Sequence, residues 1–261
     1  MQNSDFLAVS PRTTSTSVLL AEAAQRRGMP VEVLPTVRRG SAHYYGGPLY
    51  VADMVDELGL ALLEPTDAWL TSLPEACTGR RIRASTLAEA RRLVRPAFVK
   101  PPTDKGFPAA VYADGSRLPA LPGLPAGTPV QIAEVVSWVS EFRLFVLDGA
   151  VVTGSRYARH GRLDVAPLGD CSEGAGAVAF AAELLAAHRD GLPSAVVLDV
   201  GRLTRADDPT GAERWAVVEA NMPWFSHSYA SAPDRVLDVV LRSAGPRDRL
   251  SERDRAFCRH L

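Results

Sequence analysis

Cysteine is scarce and scattered in this sequence. Cys77, Cys171 and Cys258 are the only three in 261 residues, no CxxC pair occurs, and the count is odd. A disulfide framework and a zinc site are both disfavoured, and a reducing cytoplasm is the expected compartment. Long apolar runs are missing too: none approaches the roughly 20 residues that span a bilayer. The start, MQNSDFLAVSPRTT, lacks a basic segment followed by an apolar one, so no signal peptide is read there. An excess of one charge is also lacking. The formal net charge of -1 makes no electrostatic case for nucleic acid or an anionic membrane as partner. There is no internal repeat. No GxGxxG follows the first strand-like run and no GxxxxGKS or GxxxxGKT occurs, which disfavours a Rossmann cofactor site and a P-loop. What remains is an ordinary globular composition, 46% hydrophobic and 23% charged. The length suits two lobes sharing a cleft or one large α/β domain.

Lysine is the most informative scarcity. Of 29 Lys plus Arg only two are lysine, Lys100 and Lys105, close together in the chain. Lysine is a compact point charge suited to phosphate, whereas arginine is a planar fork. Two lysines retained side by side point to a site that requires ammonium groups; chance in an arginine-biased chain is the alternative.

The first third reads as alternating strand and helix. FLAVS at 6–10 is a strand, 14–27 a helix ending at Gly28, and VEVLP at 31–35 a second strand. His43-Tyr44-Tyr45-Gly46-Gly47 is read as an aromatic turn packing on the core, with the lining of an acceptor pocket as the alternative. A helix and short strand follow over 48–64, a helix and its break over 66–76, and a helix over 85–94 with Ser85 as N-cap. After Pro96 short strands dominate, at 97–100, 109–112, 129–136, 142–147, 150–156, 195–200 and 215–220. The Pro/Gly-rich stretch 115–129 reads as a loop, 174–189 as an alanine-rich helix, and 233–261 as a peripheral helical tail. The expectation is an α+β or α/β protein with a small α/β lobe over 1–95 and a second unit over 96–261. Within that unit the subdomains are drawn at about 96–136 and 137–232, ahead of the tail.

Two patterns gather charge. In FRLFVL-Asp148-Gly149-AVVTGSR, apolar strands flank a two-residue turn, a strong hairpin signal. An unbroken register sets Arg143 opposite Gly154 and Glu141 opposite Arg156, so Glu141, Arg143 and Arg156 share a face, with Phe142, Leu144 and Val146 on the other. Two arginines beside one carboxylate make a usable anion site; a solvent-facing salt-bridge ladder is the alternative. Further on, SAVVLDVGRL places Asp199 inside an apolar strand, and WAVVEANMPW places Glu219 and Asn221 on one face of another. An ionised carboxylate there is costly unless paired or metal-bound. Two carboxylates and an amide oxygen suit magnesium with bridging phosphates better than zinc. The alternative is structural pairing with arginines. Trp224, Phe225, Ser226 and His227 follow this motif and either face a substrate or pack the lobes. Cys171, with no base beside it in sequence, is not expected to act as a nucleophile.

Taken together, Lys100 in FVKP, Glu134 with Glu141, Asp199 and Glu219-x-Asn221 resemble the ATP-grasp superfamily. Within it the chain is similar to the clade named for two arginines and a lysine. The matching residues are Trp69-Leu70, Leu73-Pro74, Arg81, Thr86-Leu87, Glu89-Ala90 and Phe98 to Pro101. The resemblance runs from about residue 66 to 230. It implies two α+β lobes gripping ATP after a small α/β N-terminal lobe. It further implies Lys100 on the phosphates, a covering loop at Thr103-Asp104-Lys105-Gly106, a hinge from Gln131 through Glu134, Val135 and Val136 against adenine, and Glu141 on the ribose. Asp199, Glu219 and Asn221 are implied as magnesium ligands. Many relatives carry an earlier lysine that this chain lacks, and Arg81 or Arg83 is the expected substitute. Lys105 is assigned with Lys100 and Arg81 to the phosphates, and Arg143 and Arg156 to the γ-phosphate or the substrate carboxylate.

The activity so implied is an ATP- and Mg²⁺-dependent ligase joining a small-molecule or peptide carboxylate to an amine through an acylphosphate. A kinase of the same fold and a non-catalytic nucleotide-binding protein are the alternatives. A homodimer stays open as the assembly, and the acid and the amine are not readable.

Overall fold

The computed structural model describes residues 5–36, 41–102, 106–119, 124–205 and 211–259. The opening follows the expected strand, helix, strand order, as β1 (Phe6–Val9), α1 (Ser15–Arg26) and β2 (Val31–Val33). Thr14 starts α1 with a reciprocal cap: its hydroxyl accepts from the Ser17 amide at 3.0 Å, and the Ser17 hydroxyl accepts from the Thr14 amide at 2.8 Å. β3 (Ala42–Tyr45) runs parallel to β1 on the side away from β2. The aromatic turn expected at His43-Tyr44-Tyr45 is therefore a strand. It is buried along its whole length, because both faces of this small parallel sheet are covered.

Four short elements lead out of this lobe: α2 (Pro48–Val51), β4 (Leu60–Leu62), α3 (Trp69–Ser72) and α4 (Glu75–Thr78). A four-stranded antiparallel sheet follows. It is built from β5 (Ile82–Thr86), β6 (Ala97–Lys100), β7 (Ala110–Tyr112) and β8 (Pro129–Ala133), in the order β5-β8-β6-β7, with α5 (Leu87–Ala90) after β5. Here the sequence reading needs correction. Residues 82–86 are strand, and the helix expected over 85–94 is one turn capped by Thr86, whose hydroxyl accepts from the Glu89 amide at 3.3 Å. Ser85 bonds the Glu89 carboxylate instead. Pairing of β5 with β8 outweighs local helix propensity, and it starts this sheet at residue 82, ahead of the boundary drawn near 95.

The largest sheet is antiparallel, in the order β11-β10-β9-β12-β13. Its strands are β9 (Val136–Leu147), β10 (Ala150–Arg159), β11 (Arg162–Pro167), β12 (Ala195–Arg205) and β13 (Arg214–Asn221), with α6 (Gly174–His188) between β11 and β12. The β9–β10 hairpin turns through Asp148 and Gly149 at φ of 51° and 84°, the left-handed pair that an Asp-Gly turn supplies. On one face, Phe142, Leu144 and Val146 meet Val196, Leu198 and Val200 beneath α6 and Trp69. On the other, Phe145, Ala195 and Val197 pack under α7 (Pro233–Ser243), α1 and β1. That second face is apolar only at this end; toward the far end it carries Arg143, Glu141 and Asp199.

After α7 the tail does not stay peripheral. β14 (Ala244–Pro246) pairs with β4 in the N-terminal lobe, and Leu63 bridges to Cys258. Asp254 is buried, accepting from the Ser194 amide at 2.7 Å and the Ser194 hydroxyl at 2.6 Å at the head of β12. The tail expected to be helical over 233–261 is helical in α7, Pro233–Ser243, and beyond it is a return strand and short 3-10 turns that tie both ends of the molecule together. Among the described residues no helix is long and apolar enough to cross a membrane. Removing the Asp254 carboxylate strands a buried N–H, so Asp254→Ala lowers unfolding free energy by about 2–3 kcal/mol. Urea denaturation checks this, with the midpoint falling and the slope unchanged.

Candidate active site

The second face of the large sheet ends in a charged cluster, and the cross-strand register assembles it. Asp199 on β12 lies opposite Arg143 on β9 and opposite Glu219 on β13. Arg143 grips Asp199 with both arms of its fork, Nε to Oδ1 at 2.9 Å and Nη2 to Oδ2 at 2.7 Å. Asn221 Nδ2 donates to Asp199 Oδ2 at 3.3 Å and to Glu219 Oε1 at 3.0 Å. Lys100 reaches in from the end of β6 in the other sheet, and its Nζ donates to Glu219 Oε2. The two lobes therefore meet through this ion pair, and Lys100, Arg143, Asp199, Glu219 and Asn221 are brought together as expected.

Burial and charge act against each other here. Asp199 is 1% exposed, and burial raises its carboxyl above the ordinary value although Arg143 pulls it down. Burial disfavours the Arg143 cation, yet the charge and hydrogen bonds of Asp199 prevail and hold it above the usual range. For Glu219, burial pushes up, while the Lys100 charge and the bonds from Asn221 and Lys100 leave the carboxyl below its ordinary value. Glu141, beside Asp199 and Glu219 on this face, is raised by burial; its Oε2 accepts from the Tyr157 hydroxyl at 2.8 Å.

Two tyrosines complete the wall. Tyr157 and Tyr229 stack at 5.3 Å between centroids, and the Arg143 guanidinium lies 5.7 Å and 5.3 Å from the two rings. Tyr229 holds a left-handed φ of 49°, a conformation uncommon for a bulky residue. Its loop is tied to the N-terminal lobe: the Thr16 hydroxyl accepts from the Ser228 amide at 3.0 Å, and the Tyr45 hydroxyl donates to the Ser226 carbonyl at 3.1 Å. The void between Lys100, Gln131, Glu219 and segment 65–70 measures about 20 Å³, room for about one water. A larger recess of about 490 Å³ lies away from this cluster, among His43, Leu241, Arg242 and Arg249.

Other expected site residues lie elsewhere. Arg156 does not join Arg143. The β9–β10 pairing carries bulges after Val151 and after Arg156, so Arg143 faces Ser155 and Arg156 faces Phe142 on the opposite side of the sheet. There Arg156 pairs with Asp164 at 2.7 Å. Arg81 is 75% exposed and binds Glu134, Nε to Oε1 at 2.7 Å and amide to Oε2 at 3.0 Å. Arg83 lies on the surface with Ser85. Gln131 is buried with its Nε2 on the Asp67 carbonyl at 3.1 Å, and Val135 and Val136 are half-buried between β8 and β9. Trp224 is core, donating to the Leu63 carbonyl at 3.0 Å. Cys171 is buried against the Pro167 carbonyl. Lys105 falls outside the described residues.

The sequence reading missed Tyr157, Tyr229 and Arg80. Arg80 is buried beside a visible neighbour, Arg81, that is not; its charge is felt by Glu219 and Glu141. Adjacent arginines in a turn offer no pattern that separates them. Tyr157 enters this face through the first bulge, which shifts β10 by one residue so that Ser155 faces Arg143 and Tyr157, two further on, shares its face.

Among the described residues no group of three or more His, Cys, Asp or Glu could hold a metal ion. The set on hand is two carboxylates and one amide, with Arg143 and Lys100 lying where a divalent cation would bring charge. Side-chain amides accept through oxygen when turned over, so Asp199, Glu219 and Asn221 form an oxygen-only set that suits a hard cation whose other ligands are water or phosphate.

The second family of the ATP-grasp clade named for two arginines and a lysine, described as an ATP-grasp domain, matches residues 77–239. No curated protein matches the chain. Among solved structures it is similar to a RimK domain ATP-grasp protein from Sphaerobacter thermophilus, with a TM-score of 0.56 at 15% identity over 91% of this chain and 98% of that one. It is also similar to N5-carboxyaminoimidazole synthetase from Staphylococcus aureus, with a TM-score of 0.52 at 11% identity over 92% and 78%. At such identities the likeness is one of fold.

A carboxyl held low in the folded state stabilises it above the group's ordinary value and loses that contribution as pH falls through the folded value. Glu219 is such a group, with an ordinary value of 4.5. At pH 7 the wild type is expected to exceed Glu219→Gln in stability by about 1–2 kcal/mol, since the Lys100 pair is partly buried. The gap closes as pH drops below 4.5. Chemical denaturation of both proteins from pH 7 to pH 3 measures it, and a gap constant over that range would contradict the assignment.

Proposed function

Because the chain belongs to the ATP-grasp clade named for two arginines and a lysine, we propose that it is an ATP- and Mg²⁺-dependent ligase that joins a carboxylate to an amine. The observation that carries this reading is the meeting of Lys100 from one sheet with Glu219, Asp199, Asn221 and Arg143 from the other. An ammonium, a guanidinium and an oxygen donor set around one point are what transfer of a phosphoryl group requires of a protein, since its task is alignment and neutralisation.

Each residue has a definite part. Lys100 leaves Glu219 for the phosphates when the nucleotide enters, and Lys105, which lies outside the described residues, is assigned to the phosphates with it. Arg143 uses Nε and Nη2 on Asp199, which leaves Nη1, 3.5 Å from the His227 carbonyl, to meet the moving phosphoryl group or the substrate carboxylate. Gln131 to Val136 face adenine through the backbone, and Glu141 holds the ribose hydroxyls. Tyr157 keeps Glu141 and Arg143 in place. Asp199, Glu219 and Asn221 would hold magnesium, which would supply neutralising charge for the phosphates. A carboxylate oxygen attacks the γ-phosphorus as its bond to ADP breaks. The amine nitrogen then attacks the acyl carbon, phosphate departs, and the nitrogen gives up a proton to form the amide.

A mass-spectrometric screen of acids and amines with ATP tests this. Expected are condensation products with ADP and phosphate, seen only when both partners are present. A stable phosphoester of a hydroxyl acceptor would replace the ligase by a kinase. Glu219→Gln is isosteric and is expected to abolish Mg²⁺-dependent turnover while circular dichroism shows a retained fold.

A further inference from the structure

Arg80 has no part in the chemistry just described, yet it is 6% exposed and near enough to the cluster to feel the charges of Glu219 and Glu141. Among the described residues its hydrogen bonds all go to backbone carbonyls: Nη1 to Thr78 at 2.9 Å and Val217 at 2.8 Å, and Nη2 to Val218 at 3.2 Å. Its guanidinium lies over the Trp138 ring at 5.1 Å. That ring covers Gly201, where an added Cβ would come within 2.9 Å of it. Burial lowers the guanidinium to about 10, with Glu219 and Glu141 raising it in part. A buried cation without a paired carboxylate is costly, so its position needs a reason.

The reason lies in the strand it grips. Along β13, Val217 pairs with Val200 and packs in the apolar core under α6. Side chains two apart on a regular strand share a face, so an unbroken β13 would send Glu219 into that same core. It does not, because the register shifts between Asp199 and Val200: Val218 is an extra residue, and Glu219 lands opposite Asp199 on the charged face. A bulge of this kind leaves backbone groups outside the ladder. The two carbonyls at the bulge, Val217 and Val218, are the ones that Arg80 holds with its two arms.

We propose that Arg80 is a positioning residue: it clamps the β13 bulge and thereby keeps Glu219 on the face where Asp199 and Asn221 can share a divalent cation with it. This rests on the reading of those three residues as the cation's donor set.

The test uses the full chain. Arg80→Met keeps a comparable stem and removes every donor; Arg80→Lys keeps the charge and can reach one carbonyl. Three quantities are read: amide hydrogen exchange over 214–221 without ligands, Mn²⁺ affinity in the presence of AMPPNP by electron paramagnetic resonance, and AMPPNP affinity in EDTA by calorimetry. For Arg80→Met, exchange in 214–221 is expected to accelerate at least about tenfold and Mn²⁺ affinity to fall about 10–100-fold, the usual effect of losing a partner behind a metal ligand. Metal-free AMPPNP affinity is expected to hold, and Arg80→Lys to fall between the two proteins. Should Arg80→Met not fold, the same ordering must appear in Arg80→Lys against wild type. Unchanged exchange or unchanged Mn²⁺ affinity overturns the proposal. So does an equal loss of metal-free AMPPNP affinity, which would make Arg80 a direct phosphate contact. If wild type and Glu219→Gln bind Mn²⁺ alike, the donor set itself is refuted, and the link from clamp to cation falls with it.

Discussion

The bidentate grip of Arg143 on Asp199 is the interaction that lets this sheet carry its charge. Asp199 lies in a β12 run whose other side chains from Ala195 to Val200 are apolar and buried. An isolated carboxylate there would be untenable. Breaking such a pair by deleting one partner leaves a buried charge and costs several kcal/mol, although a hydrophobic pair of similar volume would serve stability as well or better. The pair is therefore poorly explained by folding alone. It sits where the apolar stretch of the sheet's second face ends, as Phe145 and Val197 give way to Arg143 and Asp199.

Counting charge at that end sharpens the proposed function. Lys100, Arg143 and Arg80 face Asp199, Glu219 and Glu141, so the cluster is balanced as it stands. A divalent cation entering alone would leave a positive excess in a region of low dielectric, and a triphosphate entering alone a negative one. Either imbalance is costly where water is excluded. On the proposed reading, arrival of the two together would be favoured, with Lys100 passing from Glu219 to phosphate while Arg143 keeps its hold on Asp199. The ion pairs hold the carboxylates in position.

Much of this was legible in the sequence because strands obey a period of two. The split of β9 into Glu141 and Arg143 on one face and Phe142, Leu144 and Val146 on the other follows from alternation alone, as does the pairing of Glu219 with Asn221. The scarcity of lysine marked Lys100 before any fold was in view. What failed did so for identifiable reasons. β5 was hidden because residues 82–86 become a strand only by pairing with β8, far along the chain. β3 was hidden because a strand buried on both faces shows no alternation. The tail was hidden because Asp254, an ordinary-looking charge in a polar run, finds its partner in Ser194.

Two further misses, Arg156 and Tyr157, share one cause, and it bears on how such sites are built. Arg156 went to the wrong face and Tyr157 to the right one because β10 gains an extra residue between them and their β9 partners; Glu219 reaches Asp199 because β13 gains one at Val218. Alternation is a local rule, and a bulge is the simplest way to reverse it: one inserted residue exchanges the faces of everything beyond it. A sheet that must be apolar along one strand end and charged at the other cannot use a single unbroken alternation for both. The register breaks are thus where the demands of the core and of the site are reconciled, and in an uncharacterised sheet a buried arginine bound to bulge carbonyls marks the place to look.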